Sequence, residues 1–389
     1  MKIAFFTDTY LPQLNGVSTT MQQLFSYLDK IPGFEYIVFA PGPDTSTDKN
    51  IYRIHGMKFF LYPECRVSIP NYYYIKKILN RFKPDLIHDS TQFSIGLCGL
   101  LYARKNSIPI TTVYHTNFSD YLAYYRLRLI DRVMWRYFTW FHNQCDINFC
   151  PSLYTRDELL QRGMKNLELW VRGVDTDFFS PKYKGILSVP YYHIHGKTIL
   201  LYVGRVAAEK NIGVLMHAME IINAKFHNKV HLFIVGDGPM LKQIERCMPG
   251  NVTCTGFLTG LKLAKMYANA DIFVFPSTSE TFGNVVLEAM SSGIPVVGAF
   301  SGGVQDSLID GENGISCTPG DPASLADGVI RLLRNREQLK MLGKQARAHA
   351  LEMSLETGFE QLIKRWAVLL NESKAPLPVS GTQHILNQS

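Results

Sequence analysis

Long apolar runs are scarce in this chain of 389 residues: none approaches the roughly 20 residues that cross a bilayer. The opening MKIAFF is cut short by Asp8, so neither a signal peptide nor an N-terminal span is expected, and the protein is expected in the cytoplasm. Cysteine pairs are absent. The seven cysteines (Cys65, Cys98, Cys145, Cys150, Cys247, Cys254 and Cys317) include no C-x-x-C, which argues against a disulfide framework or a zinc site and for reduced core residues. His193 and His195, two apart, suit one face of a strand better than a ligand set, so no metal is assigned. Short repeats and low-complexity segments are missing too. The net charge of +7 divides almost evenly between the two halves, so bulk charge names no partner and no nucleic acid is expected.

Locally the charge is uneven. Residues 71–136 hold ten Lys or Arg against four Asp, which suggests an anionic partner. Two stretches there, 71–83 (NYYYIKKILNRFK) and 121–142 (YLAYYRLRLIDRVMWRYFTWFH), mix aromatics with cations at helical spacing. Such helices can lie against anionic headgroups, although the same pattern suits helices that pack their aromatics inward and solvate their arginines.

The length favours two domains. Strands are expected at Lys2–Thr7, Tyr36–Ala40, Leu86–Asp89, Ile110–His115 and Asn148–Ser152, the last closing the first half. A polar, Pro-terminated stretch from Val174 to Pro181 marks the junction. Strands resume at Thr198–Val203, Val230–Val235, Val252–Thr255 and Asp271–Pro276, with helices at 325–351 and 354–370 and a polar tail from Asn371 that reads as disordered. Alternating strands and helices in both halves give the fold class: α/β, two facing Rossmann-like doubly wound domains, 1–181 and 182–370, with a tail of 371–389.

The run from Pro276 to Pro295 (PSTSETFGNVVLEAMSSGIP) is the most informative. Glu280 lies in a strand-to-helix loop, and a helix over Asn284–Ser291 carries Glu288 in its second turn on the face of the helix start. That helix is apolar on nearly every side, so Glu288 needs a polar partner: two hydroxyls of a ribose, or an internal arginine in an ordinary packed helix. The amides that follow Thr281-Phe282-Gly283 suit a phosphate. Arg205 and Lys210 sit between a strand and a helix, where two cations suit a diphosphate or simply pair with Glu209 and solvent. The second-half strands at Thr198, Val230 and Val252 end on Gly204, Gly236 and Gly256, which suits a ligand crevice along one sheet edge. His115, in VYHTNF, stands at a strand's carboxyl end beside Thr116 and Asn117, where catalytic side chains collect. Asn15-Gly16 permits close approach of main chain to a ligand, or a plain tight turn.

Four segments in this order, Asn15-Gly16-Val17, HTNF at His115, GRVAAEKN with Arg205 and Lys210, and Glu280-x7-Glu288, make the chain resemble glycosyltransferase family four over about residues 1–370. These are retaining nucleotide-sugar transferases with the two-domain GT-B arrangement. The opening DTYLPQLNGV and the stretch from HTNF to WRYFTWFH look most like the lipid-glycosylating members. The resemblance implies that Arg205 and Lys210 hold the diphosphate, Glu288 the ribose and Glu280 the sugar hydroxyls. Backbone at Phe282, Gly283, Asn284 and Val285 would complete the donor pocket, Phe257 and Leu258 would flank the base, and Gly16 and His115 would face the transferred sugar and phosphate. His115, Arg205, Lys210 and Glu280 are the catalytic set so implied. The last helix is expected to cross back onto the first domain.

The implied reaction moves a hexose from a UDP- or GDP-sugar to a hydroxyl of a lipid or cell-envelope glycan precursor. It needs no cofactor and no metal, because Arg205, Lys210 and helix amides stabilise the departing diphosphate. A double-displacement nucleophile is not evident, since Glu280 is assigned to hydroxyl binding. Contact of 71–83 and 121–142 with an anionic membrane would place the enzyme on the inner face. A nucleotide-sugar epimerase of the same fold and a non-catalytic sugar-nucleotide binding protein are the two alternatives at this point.

Overall fold

The computed structural model describes residues 1–13, 16–42, 50–59, 62–115, 128–185, 194, 196–226 and 229–374. Expectations for Asn15, Thr116, Asn117, residues 121–127, His193, His195 and 375–389 therefore lie outside the described residues.

The first half opens with β1 (Lys2–Phe6), α1 (Gly16–Leu28), β2 (Glu35–Pro41) and β3 (Ile51–Ile54). An antiparallel hairpin follows, β4 (Gly56–Phe59) and β5 (Tyr62–Ser68), then α2 (Tyr72–Phe82), β6 (Leu86–Asp89), α3 (Ser94–Asn106), β7 (Ile110–Val113) and α4 (Arg128–His142). It ends with β8 (Ile147–Cys150), α5 (Leu153–Gln161) and β9 (Leu167–Leu169). Seven strands make one parallel sheet in the order β3-β2-β1-β6-β7-β8-β9. The strand expected to close this half is therefore followed by one more, β9, whose three residues are too few to show alternation. His115 stands two residues beyond β7 rather than closing it.

The second half runs β10 (Thr198–Val203), α6 (Ile212–Phe226), β11 (Val230–Val235), α7 (Leu241–Cys247), β12 (Val252–Gly256), α8 (Gly260–Asn269), β13 (Ile272–Phe275), α9 (Asn284–Ser291), β14 (Val296–Ala299) and β15 (Gly314–Cys317). Its six strands are parallel in the order β12-β11-β10-β13-β14-β15. β10, β11 and β13 are buried along their whole length, as strands covered by helices on both faces must be. In each sheet the order reverses beside the first strand, between β1 and β6 and between β10 and β13. Loops leaving such neighbouring strands diverge to opposite faces and open a crevice.

Three helices follow among the described residues: α10 (Pro322–Arg334), α11 (Arg336–Glu352) and α12 (Leu355–Lys374). The single helix expected over 325–351 is two, because Asn335 ends the first and its side chain caps the second by accepting from the Gln338 amide at 3.0 Å. α12 extends to Lys374, past the expected end at 370. It packs against the first sheet: Phe359, Leu362 and Trp366 are buried in the core built on Ile3, Phe5 and Leu24. Cys98, Cys145, Cys150 and Cys317 are buried free thiols as expected, but Cys247 is exposed on the last turn of the short α7.

Candidate active site

All twelve residues singled out from the sequence line one cavity of about 1210 Å³ between the carboxyl edges of the two sheets. The chain brings them there from five places: the start of α1 and the segments that follow β7, β10, β12 and β13.

Arg205 and Lys210 follow β10, and Glu280 follows β13, so they flank the reversal point of the second sheet. Lys210 Nζ lies 2.6 Å from Glu280 Oε1, which also accepts from Ser277 Oγ at 3.0 Å. The spacing of these two residues in the sequence gives no sign of this pairing, which couples the side chain implied for the diphosphate to the one implied for the sugar hydroxyls. Arg205 Nη1 is 3.5 Å from Glu209 Oε1, as the plainer reading of that segment allowed. Asn211 steadies the loop by donating to Thr278 Oγ1 at 3.0 Å. Backbone closeness shapes this wall: a Cβ on Gly236 would meet the Gly204 carbonyl oxygen at 1.9 Å, and one on Gly303 would meet that of Thr281 at 2.2 Å. The Gly303 amide in turn donates to the Glu280 carbonyl at 2.7 Å.

α9 begins at Asn284 as expected. Gly283, with φ of 83°, turns the chain into it, and no side chain caps its first amides. Glu288, one turn further in, accepts from Tyr267 Oη at 2.8 Å, so its polar partner is a tyrosine of α8 and not an internal arginine. Burial pushes the Glu288 carboxyl up to about 7, and the tyrosine hydrogen bond offsets part of that. Phe257 is well exposed at the rim beyond β12, while Phe282 is buried beneath the loop.

The opposite wall comes from the first sheet. The His115 carbonyl accepts from Thr281 Oγ1 at 3.2 Å, and the Thr281 carbonyl accepts from Thr155 Oγ1 at 3.1 Å, so the Glu280 loop is tied to the first half at two points. His115 Nδ1 is buried without a partner among the described residues. Burial, with Arg172 and His88 adding to it, holds the imidazole protonation well below its usual range, so His115 is neutral at pH 7. Gly16 opens α1 facing Asn284: a Cβ there would stand 3.7 Å from Asn284 Nδ2.

Two wall residues, Asp8 and Arg172, and one buried behind the wall, Tyr267, are not singled out in the sequence reading. Asp8, there treated only as the break in an apolar run, caps α3 from across the sheet: Oδ1 accepts from the Ile95 amide at 2.9 Å and Ser94 Oγ at 3.1 Å, and Oδ2 from Thr91 Oγ1 at 2.9 Å. Its partners lie more than eighty residues away, beyond any local pattern. Tyr267 is hidden in an ordinary amphipathic helix. Arg172, between buried Trp170 and Val174 at strand spacing, carried the one available signal: alternation aims it inward with them. Among the described residues, no group of three His, Cys, Asp or Glu could hold a metal ion.

The family model for Glycosyl transferases group 1 matches residues 190–349, and that for Glycosyltransferase Family 4 matches residues 14–178. A GDP-mannose-dependent alpha-mannosyltransferase of Corynebacterium glutamicum is 31% identical over 326 residues, 81% of this chain and 76% of that protein. An alpha-monoglucosyldiacylglycerol synthase of Streptococcus pneumoniae is 32% identical over 318 residues, 76% of this chain and 70% of that protein. Among solved structures, sucrose-phosphate synthase from Thermosynechococcus elongatus superposes with a TM-score of 0.79 at 21% identity, over 95% of this chain and 99% of that one. The architecture is therefore GT-B.

Proposed function

As the chain belongs to glycosyltransferase family 4, and is a hexosyltransferase by that membership, we propose that it moves a hexose from a UDP- or GDP-sugar to a hydroxyl of a membrane lipid or cell-envelope glycan precursor, retaining the anomeric configuration and using no metal ion. The observation that carries this reading is the placement of Arg205 and Lys210 on one wall of a cleft that also holds the uncapped start of α9 and the recessed carboxylate of Glu288. Positive charge and free amides meet the diphosphate, and Glu288 meets the ribose hydroxyls. The names of the mannosyltransferase and the diacylglycerol glucoside synthase support a nucleotide-sugar donor and a lipid acceptor.

In the proposed step the bond from the sugar's anomeric carbon to the diphosphate oxygen breaks while the acceptor oxygen bonds to that carbon from the same face. The acceptor's proton passes to the departing phosphate oxygen. Arg205, Lys210 and the α9 amides stabilise the charge that accumulates there, and neutral His115 hydrogen-bonds the sugar without competing for the proton. Thermal-shift screening with UDP-, GDP- and ADP-sugars tests the donor class. A stabilising shift with UDP- or GDP-sugars supports it, and none with any nucleotide sugar refutes it.

Peripheral membrane contact belongs to the same proposal. Tyr73 and Tyr74 are exposed on α2 beside exposed Lys77 and Arg81, and α4 exposes Trp140 and Val133 beside Arg132 and Arg136. Among the described residues no helix is long and apolar enough to cross a membrane. Sedimentation with anionic vesicles at low salt checks this part, and absence of binding would remove it.

A further inference from the structure

Arg172 is 5% exposed and lines the cavity from the first-domain side, in the strap between β9 and the second domain. Its Nε and Nη2 are buried without a hydrogen-bond partner among the described residues. A guanidinium in that position is costly unless something anionic meets it.

Among the described residues, the carboxylates that line the cavity are each engaged elsewhere. Asp8 caps α3, Glu209 pairs with Arg205, Glu280 with Lys210, and Glu288 with Tyr267. Asp175 accepts from the Phe178 amide at 2.8 Å, and Asp237 from the Gly238 amide at 2.7 Å. His115, the titratable neighbour, is neutral and carries no counter-charge.

The backbone under Arg172 is fixed. Trp170 Nε1 donates to the Gly358 carbonyl at 2.9 Å, the Val174 amide to the Met353 carbonyl at 2.9 Å, and the Leu355 amide to the Val174 carbonyl at 3.0 Å. Two glycines allow this approach: a Cβ on Gly358 would meet the Val171 oxygen at 2.6 Å, and one on Gly173 the Ser354 oxygen at 2.2 Å. The strap is thus clamped to the start of α12, which fixes the backbone that carries Arg172.

We infer that Arg172 is the anchor of a second anion site, separate from the diphosphate site, which takes an oxyanion of the phosphate, sulfonate or carboxylate class. A planar fork of N–H groups meets two oxygens of such a group at once. The oxyanion is carried either by the acceptor or by the sugar being transferred. The inference rests on the proposed use of Arg205 and Lys210 for the nucleoside diphosphate.

The test is calorimetric titration of inorganic phosphate into the full chain preloaded with UDP or GDP, using wild type, Arg172→Met and Arg172→Lys. The expected result is phosphate binding by wild type, at least tenfold weaker in Arg172→Met and partly kept in Arg172→Lys, with UDP and GDP affinity within twofold of wild type in both. Arg172→Met should also melt at the same or a higher temperature without ligand, because it removes an unpaired buried charge; a purely structural arginine would give a lower one. Displacement of phosphate by glycerol 3-phosphate assigns the oxyanion to the acceptor, and displacement by UDP-glucuronate but not UDP-glucose assigns it to the sugar. Equal phosphate affinity in wild type and Arg172→Met, phosphate displaced by neither probe, or nucleotide affinity lost with Arg172 would each overturn the inference. If neither UDP nor GDP binds wild type, the donor reading fails, and phosphate titration of the free enzyme still decides the role of Arg172.

Discussion

Lys210 Nζ and Glu280 Oε1 stand 2.6 Å apart, each less than a fifth exposed, at the point where the second sheet reverses its strand order. The residue proposed to grip the diphosphate is therefore held in place by the residue proposed to grip the sugar, and the two act as a coupled unit.

That coupling predicts an asymmetry. Glu280→Ala frees Lys210 for the diphosphate, so UDP or GDP should bind as tightly as to wild type or more tightly, while turnover falls by about 10²–10³, the usual cost of one transition-state contact. Calorimetry beside a transfer assay separates the two effects. Parallel loss of nucleotide affinity and turnover would mean that Glu280 serves the diphosphate site itself.

Glu288 gives a pH dependence. Its carboxyl is raised to about 7, and a ribose diol donates best to the ionised form, so nucleotide affinity should weaken roughly tenfold per unit as pH falls below about 7. Glu288→Gln should flatten that profile. For stability the sign is opposite: a raised carboxyl favours the folded state fully below its unfolded value and loses that advantage as pH rises through about 7. The melting temperature of wild type minus that of Glu288→Gln should therefore fall between pH 5 and pH 8.

Gly236→Ala forces the new Cβ to within 1.9 Å of the Gly204 carbonyl at a φ of 144°. The loops carrying Arg205 and Gly238 must then separate, and nucleotide affinity should drop at least tenfold, with a lower melting temperature. Gly250→Ala, with nothing within 4 Å, is the silent control.

Trp366, fully buried against Phe5 and His88 at ring distances of 5.9 and 5.2 Å, fastens α12 to the first domain. Trp366→Ala should cost about 3–5 kcal/mol in urea unfolding. A cost under about 1 kcal/mol would show that α12 is peripheral to that core.

The parts of this structure legible in the sequence are those written locally. Strands buried on both faces appear as unbroken apolar runs, such as Thr198–Val203, and α9 has the bounds that Gly283 and Gly293 suggest. What stayed hidden depends on partners distant in the chain. Asp8 reads as a strand end until α3 folds beneath it, Lys210 and Glu280 are seventy residues apart, and Tyr267 shows no polar purpose until Glu288 lies opposite. The hairpin β4–β5 and the short β9 were missed because two-stranded ribbons and three-residue strands leave little periodic signal.

The most direct test of the account is transfer of radiolabelled hexose from UDP-glucose or GDP-mannose to diacylglycerol vesicles, with nucleoside diphosphate release followed in parallel, by wild type, Arg205→Ala and Lys210→Ala. The account predicts one nucleoside diphosphate released per hexose transferred by wild type, with either substitution lowering turnover by about 10²–10³. Wild-type rates retained by both variants would contradict it.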